Sequence, residues 1–383
     1  MILWTSKVLM IIGCALFFLS PGEVGAQLLQ KSSQSINAKK NLSYTDIVQT
    51  KFSFQEDFYA DTLRSAVSPG NPETISEGKF LLTGKNISYA FDGNRLITLH
   101  PTDSTYAVQK ESVSGQDTRT LLYWAQEMQK LSELSENKIV KLADTLINGI
   151  SFANICITVT DTVEQNQRSY NISNFIVDKE NYLPVKITRK FKGLGNDGTS
   201  FGLIEIHNYT DYKINQKKFP DLSIATIPSH FSLPVKKQPV KFLENGVPAP
   251  FLKAYDKKGN PLDTSVLKGK MVLINFSLIG CPHCVGAAQM LNRLQEKFKG
   301  RNLLILNIYP IDPIETILKF DVKETVLSPS YTSDRSVVKS FPLDGYPSFY
   351  LIDMQGKVAQ SYNGYYKSLE HELEEKIETY LSK

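Results

Sequence analysis

Charge of one sign, long apolar runs and cysteine are all scarce in this chain, and each scarcity excludes something. Forty-three Lys and Arg against 39 Asp and Glu leave a formal charge of only +4 over 383 residues. The basic residues form no cluster, so the sequence carries no electrostatic argument for a nucleic-acid partner, and none is expected. The one sustained apolar run, residues 8–19, is shorter than the roughly 20 residues a membrane-crossing helix needs. Only four cysteines are present, Cys14, Cys156, Cys281 and Cys284, and just two of them are close in sequence. No internal repeat stands out. What remains is the composition of a soluble globular protein, long enough for two or three domains with sizeable cores.

The chain is organised around residues 271–285, Met-Val-Leu-Ile-Asn-Phe-Ser-Leu-Ile-Gly-Cys-Pro-His-Cys-Val. The first half is nearly continuous in apolar residues, the pattern of a strand buried on both faces of a parallel sheet. The second half is a C-x-x-C that opens onto a helical pattern: Val285, Ala288, Leu291, Leu294 and Phe298 recur every three or four residues until Gly300. A helix N-terminus stabilises a thiolate through its dipole and unpaired N–H groups. Cys281 is therefore expected to be the acidic, exposed nucleophile, and Cys284, one turn inside, to resolve a mixed disulfide. Pro282 suits the first helical position, and His283 can stabilise the Cys281 thiolate by charge or hydrogen bonding.

The N-terminus reads as a targeting segment. Lys7 precedes the apolar run, and small residues at 24–26 offer a cleavage point before Gln27. A cleaved signal peptide over 1–26 implies export to the periplasm or cell envelope, where a C-x-x-C can cycle against partner proteins. Lipidation at Cys14, or retention of the segment as an anchor, is the alternative. Cys156 lies in a β-like, largely apolar run and reads as a buried, inert thiol.

Residues 28–45 read as an early helix or loop. From about residue 50 the pattern turns β-rich: Phe52, Phe54 and Phe58 alternate, and short strands are expected at 79–83, 87–91, 96–99 and 105–108. A helix over about 118–131 interrupts them before strands resume at 139–143, 150–160, 168–177, 184–192 and 201–213. An antiparallel β-rich meander with one helix reads as a curved sheet or half-barrel. Residues 216–246, with four prolines, read as a linker or an extended packing segment. Strands and helices alternate beyond about 247, as in an α/β domain with a parallel core and an antiparallel edge. The expected domains are thus 27–215, the connector 216–246, and 247–383.

Two family resemblances attach to these segments. Residues 247–251 (Val-Pro-Ala-Pro-Phe), 267–276, the Cys281–Cys284 motif and 345–353 (Gly-Tyr-Pro-Ser-Phe-Tyr-Leu-Ile-Asp) occur in the order found in the TlpA-like branch of the thioredoxin superfamily. The C-terminal domain resembles those extracytoplasmic thiol–disulfide oxidoreductases. The resemblance implies a thioredoxin-like fold and thiol exchange without a cofactor or metal. It also implies protein dithiol or disulfide substrates and a membrane or periplasmic redox partner. Pro347 resembles the family's cis-proline facing the active site, with the backbone of Tyr346 placed to pair with substrate. Gly280 stands where thioredoxins usually carry tryptophan, so one hydrophobic wall of the substrate surface is missing. Asn275 replaces a buried aspartate found in many thioredoxins, so proton transfer to Cys284 must come from water or another acid, with Asp312 the candidate and a helix N-cap its other reading.

The paired segments 170–177 and 183–189, followed by 205–215, resemble the later hairpin of LolA-like envelope carriers. That resemblance implies a half-barrel with a greasy concave face and a lipophilic ligand. Two other functions stay open on the sequence: an envelope lipophile-binding or scaffold protein with a minor redox role, and soft-metal (copper) delivery through Cys281, His283 and Cys284. The direction of exchange, reductase or oxidase, stays open as well.

Overall fold

The computed structural model describes residues 20–53, 55, 57–70, 78–109, 120–164, 167–194, 200–235 and 239–382. The apolar run of the expected targeting segment, with Cys14, lies outside them, as do Phe54, Lys236 and Lys237. Among the described residues no helix is long and apolar enough to cross a membrane.

Helix α1 (Pro21–Asn37) opens the N-terminal domain. Ser20 caps it in a reciprocal box: Glu23 N–H donates to Ser20 Oγ at 3.1 Å, and Ser20 N–H donates to Glu23 Oε2 at 2.6 Å. The helix runs through Ala26 and Gln27, the expected cleavage point, and its first turn is already packed. A Cβ at Gly22 would lie 2.6 Å from the carbonyl oxygen of Glu136, so only glycine allows that approach. Leu29 and Ile36 carry the buried stripe further along.

Eleven strands form one antiparallel sheet in two meanders. The first comprises β1 (Leu42–Phe52), β2 (Tyr59–Ser68), β3 (Lys79–Thr83), β4 (Ser88–Phe91), β5 (Leu96–His100) and β6 (Thr105–Gln109). The second comprises β7 (Ile139–Ile147), β8 (Ile150–Glu164), β9 (Gln167–Val177), β10 (Pro184–Leu194) and β11 (Ser200–Ile214). They join where β1 pairs with β11, which leaves β6 and β7 as the two edges and the sheet open. Between the meanders lies α2 (Leu121–Ser132), capped by Thr120. Both helices cover one face of the sheet, and Leu29, Leu121, Trp124, Met128, Ile155 and Phe175 fill the core there. Burying each such side chain contributes about 1.5–3 kcal/mol. Among the described residues the domain thus carries two helices on its sheet, the first lying largely in the segment that the sequence left open as helix or loop. The expected alternation of Phe52 and Phe58 falls at the end of β1 and in the following turn, where Phe58 is 41% exposed.

The connector packs on both sides. Leu222 is buried against Ala90 and Ile97, Tyr106 N–H donates to the Ser232 carbonyl at 3.0 Å on the β6 edge, and Phe242 and Leu243 pack into the C-terminal core.

The C-terminal domain is a five-stranded sheet in the order β14-β13-β12-β15-β16. Its strands are β12 (Met271–Phe276), β13 (Leu303–Tyr309), β14 (Ser330–Thr332), β15 (Ser348–Ile352) and β16 (Val358–Asn363). β12 pairs parallel with β13 and antiparallel with β15, and every residue of β12 is buried, as its nearly continuous apolar run requires. Helices α3 (Pro282–Lys297) and α6 (Leu369–Leu381) pack on one face, with α4 (Ile314–Lys323) beside α3. The other face is covered by residues 252–262 and by α5 (Val337–Ser340) with Phe341. A thioredoxin-like α/β fold at the C-terminus and an open, β-rich antiparallel sheet at the N-terminus are what the chain forms.

Candidate active site

β12 ends at Phe276, and six residues later α3 begins with Pro282 at its first position. Gly280 makes this sharp entry possible with a φ of +90°, a left-handed conformation that favours glycine. Cys281 is the N-cap, and its carbonyl accepts from the N–H groups of Cys284 at 3.1 Å and Val285 at 3.3 Å. The Cys281 thiol is half-buried and donates to the carbonyl of Tyr346 at 3.5 Å. Cys284 sits wholly inside.

The two thiols are driven apart electrostatically. Cys281 is lowered to about 6. The Cys284 thiol, which donates a hydrogen bond to the Cys281 sulfur, is the main cause. The N–H groups of Cys284 and His283 and the charge of His283 add to it, together outweighing burial. Cys284 is pushed far up, first by burial and then by the neighbouring Cys281 sulfur. The arrangement makes one thiolate available at neutral pH and holds the second proton in reserve. The alkylation rate of Cys281 by iodoacetamide should rise with pH and level off around a midpoint near 6. An ordinary thiol has its midpoint near ~8.5, and a value there would remove the stabilised thiolate.

The peptide between Tyr346 and Pro347 is cis, and it is this loop that faces Cys281. Tyr346 is half-buried, and burial followed by the charge of Asp312 pushes its hydroxyl up. Asp312 Oδ2 accepts from Ile279 N–H at 3.1 Å, two residues before Cys281. Burial pushes that carboxyl up. Asp312 is not the N-cap of α4, a place taken by Pro313. Asn275 is buried on β12 and donates to Asn307 Oδ1 on β13 at 2.9 Å, an internal tie between strands. Sequence reasoning missed Ser277, whose hydroxyl hydrogen-bonds the Cys284 thiol, and Tyr309, whose buried hydroxyl feels the Cys284 charge. Both sit at the ends of strands already recognised, but a serine and a tyrosine there carry no motif.

Soft-metal binding through Cys281, His283 and Cys284 gains no further ligand from the fold. His371 is on the exposed side of α6, 3.4 Å from Glu375. Among the described residues no group of three or more His, Cys, Asp or Glu is placed to hold a metal ion. Cys156, on β8, is partly exposed, and burial raises its thiol.

The N-terminal domain also reaches the site. Helix α3 and strand β11 come within 8 Å between Cα atoms. A cleft of about 490 Å³ lies between the β1–β2 turn and the segment just before Cys281, lined by Gln55, Asp57 and Tyr59 on one side and Ile279, Gly280 and Phe320 on the other.

Residues 245–361 match the AhpC/TSA family. Proteins named thiol–disulfide oxidoreductase ResA align over 143 residues, 37% of this chain and 79% of theirs. The relative from Bacillus thuringiensis subsp. konkukian is 28% identical. That from Bacillus anthracis is 26% identical. Among solved structures, a thiol:disulfide interchange protein DsbE from Chlorobium tepidum is 22% identical over 36% of this chain and 99% of its own, with a TM-score of 0.35. A protein disulfide isomerase from Bacteroides thetaiotaomicron is 22% identical over 37% and 92%, also with a TM-score of 0.35. The C-terminal domain of this chain is a thioredoxin-like thiol–disulfide oxidoreductase domain that matches the AhpC/TSA family model and fits the TlpA-like pattern.

Proposed function

We propose that the chain is an exported oxidoreductase that exchanges disulfides with protein substrates through a mixed disulfide at Cys281. The observation that supports this most is the split between the two thiols, one lowered at a helix N-terminus and the other buried and raised. The Cys281 thiolate attacks one sulfur of a partner disulfide, forming a new S–S bond and releasing one partner thiolate. Cys284 then gives up its proton and attacks the Cys281 sulfur, releasing the second thiolate. Two electrons pass to the partner, and the Cys281–Cys284 disulfide is left. The reverse sequence oxidises a dithiol. Once Cys281 is in the mixed disulfide it no longer takes the Cys284 hydrogen bond. Asp312, its carboxyl raised by burial, is our candidate for accepting that proton, directly or through water.

A lipophilic ligand receives no support, since α1 and α2 already fill the inner face of the N-terminal sheet. Export rests on the apolar segment at 8–19 together with the chemistry, which needs a compartment where disulfides persist.

The test is the reduction potential of the Cys281–Cys284 pair, by thiol trapping after equilibration in glutathione buffers. A reversible two-electron couple is expected between roughly −270 and −120 mV, displaced toward the oxidising end because a stabilised thiolate favours the reduced form. A value near about −130 mV points to donation of disulfides, and one near about −270 mV to their reduction. No reversible couple overturns the proposal.

A further inference from the structure

Gly280 creates a problem for substrate recognition that the C-terminal domain cannot solve locally. A thioredoxin-like site uses the residue before its first cysteine as a hydrophobic wall, yet at φ +90° this position disfavours any side chain larger than hydrogen. The wall must come from elsewhere, and the cleft shows what stands there.

The β1–β2 turn is held in place from two directions. Ser53 N–H donates to the Gly202 carbonyl at 2.8 Å, and Gly202 N–H returns a bond to Ser53 Oγ at 3.1 Å, tying the turn to β11. Lys323 of α4 donates to the Ser53 carbonyl at 3.0 Å, tying the same turn to the thioredoxin-like domain. Tyr59 follows at the start of β2. Tyr59 is 54% exposed and lines the cleft, while its hydroxyl accepts from Asn86 Nδ2 at 3.0 Å, which fixes the ring's orientation. A large, fixed, exposed aromatic beside a nucleophile is the kind of group that anchors a binding partner.

We infer that the β1–β2 turn, through Tyr59, is the missing wall of the substrate groove, and that the groove takes an extended segment of a partner protein on one side of its reactive cysteine. This rests on the thiol-exchange reading above. Three observations favour such an occupant. The cleft is lined by Ile279 and Gly280, the two residues before Cys281, so a chain lying in it runs up to the edge of the nucleophile's position. The lining mixes Tyr59, Ile279 and Phe320 with polar Gln55 and Thr316 and with charged Asp57, Lys319 and Lys323, as a peptide with both backbone and side chains to satisfy requires. Its size, about 490 Å³, suits a few residues and not a folded surface. The groove would thus select disulfides in protruding or unfolded segments, and the N-terminal domain would be a specificity element of the enzyme.

The experiment compares full-length wild type, Tyr59→Ala and Tyr59→Phe on two disulfides. One is hydroxyethyl disulfide, too small to reach the wall. The other is the mercaptoethanol mixed disulfide of a short unstructured peptide with one central cysteine. Tyr59→Ala should lower kcat/KM on the peptide about tenfold, mostly through KM, equivalent to about 1.4 kcal/mol. Hydroxyethyl disulfide should react as with wild type in both variants, and Tyr59→Phe, which keeps the ring but loses its tether to Asn86, should lose clearly less on the peptide than Tyr59→Ala. Equal losses on both substrates, or no loss on the peptide, would overturn the inference. Failure of wild type to react with hydroxyethyl disulfide would instead remove the exchange reading on which the inference stands.

Discussion

Replacing Cys281 with serine should abolish disulfide exchange, by more than about 10³-fold, the scale on which a lost nucleophile is felt. The fold should survive. Serine is a preferred N-cap, the position Cys281 occupies, and the thiol is only half-buried, so unfolding should shift by no more than about 0.5–1 kcal/mol. Cys284→Ser should be as inactive in turnover but different in kind. Its Cys281 thiolate still attacks, nothing inside resolves the product, and a mixed disulfide with the partner accumulates, visible as a reducible mass increase. The contrast assigns the order of events: attack at the lowered, accessible sulfur, resolution by the raised, buried one. Retained exchange in Cys281→Ser, or an adduct that forms on Cys156 instead, would contradict this order.

The C-terminal half of the chain is legible because its determinants are local. β13 and β15 can be read from the sequence as the short, nearly continuous apolar runs at 303–309 and 348–352, the pattern of strands buried on both faces. The C-x-x-C is legible for the same reason: its chemistry needs a strand end, a turn and a helix start in one short stretch. The N-terminal domain is legible only where turns punctuate it. β3 through β6 sit between clear turn signals, whereas β2, with Asp61, Thr62, Arg64 and Ser65 among its residues, offers no apolar run to read. β1 is placed late by its sequence because Phe52 and Phe58 draw attention away from its true core positions, Leu42, Tyr44 and Asp46.

Asp46 shows why part of the domain stays hidden. An aspartate at a core position reads as a break in the pattern, and only a partner 161 residues away makes it acceptable. The cleft beside Cys281 is hidden in the same sense, assembled from residues in the fifties, at 279–280 and on α4. The signal that existed was the alternation Glu205, His207, Tyr209, three polar or amphipathic residues on one face of a strand with Ile204 and Ile206 on the other.

That cluster leads to the largest expected effect on stability. His207 Nδ1 lies 2.7 Å from Asp46 Oδ2, and its Nε2 lies 3.7 Å from Glu205 Oε1, with the imidazole edge-to-face against Trp124 at a ring separation of 5.5 Å. All three ionisable groups are buried at the junction where the two meanders meet. Burial alone would push the histidine down, but its hydrogen bond to Asp46 and the two carboxylates outweigh burial and hold it up at about 9. His207→Ala leaves two buried carboxylates without their cation, and should cost about 3–5 kcal/mol. The loss would be read in urea unfolding from Trp124 fluorescence. Adding Asp46→Asn and Glu205→Gln should recover part of it, because the burden is then no longer charged. The pH dependence has a definite sign. A histidine whose folded value lies above its unfolded value of about 6.5 stabilises fully below that pH and loses the contribution as pH rises through about 9. The stability gap between wild type and His207→Ala should therefore be widest near pH 6 and shrink towards pH 10. A gap that stays constant over that range would mean the imidazole is held neutral and the cluster is a hydrogen-bond tie, not an ion pair. Because β1 runs from Asp46 to the turn beside Cys281, whatever loosens this junction also loosens the wall of the groove, while small disulfides that never touch the wall should still be exchanged.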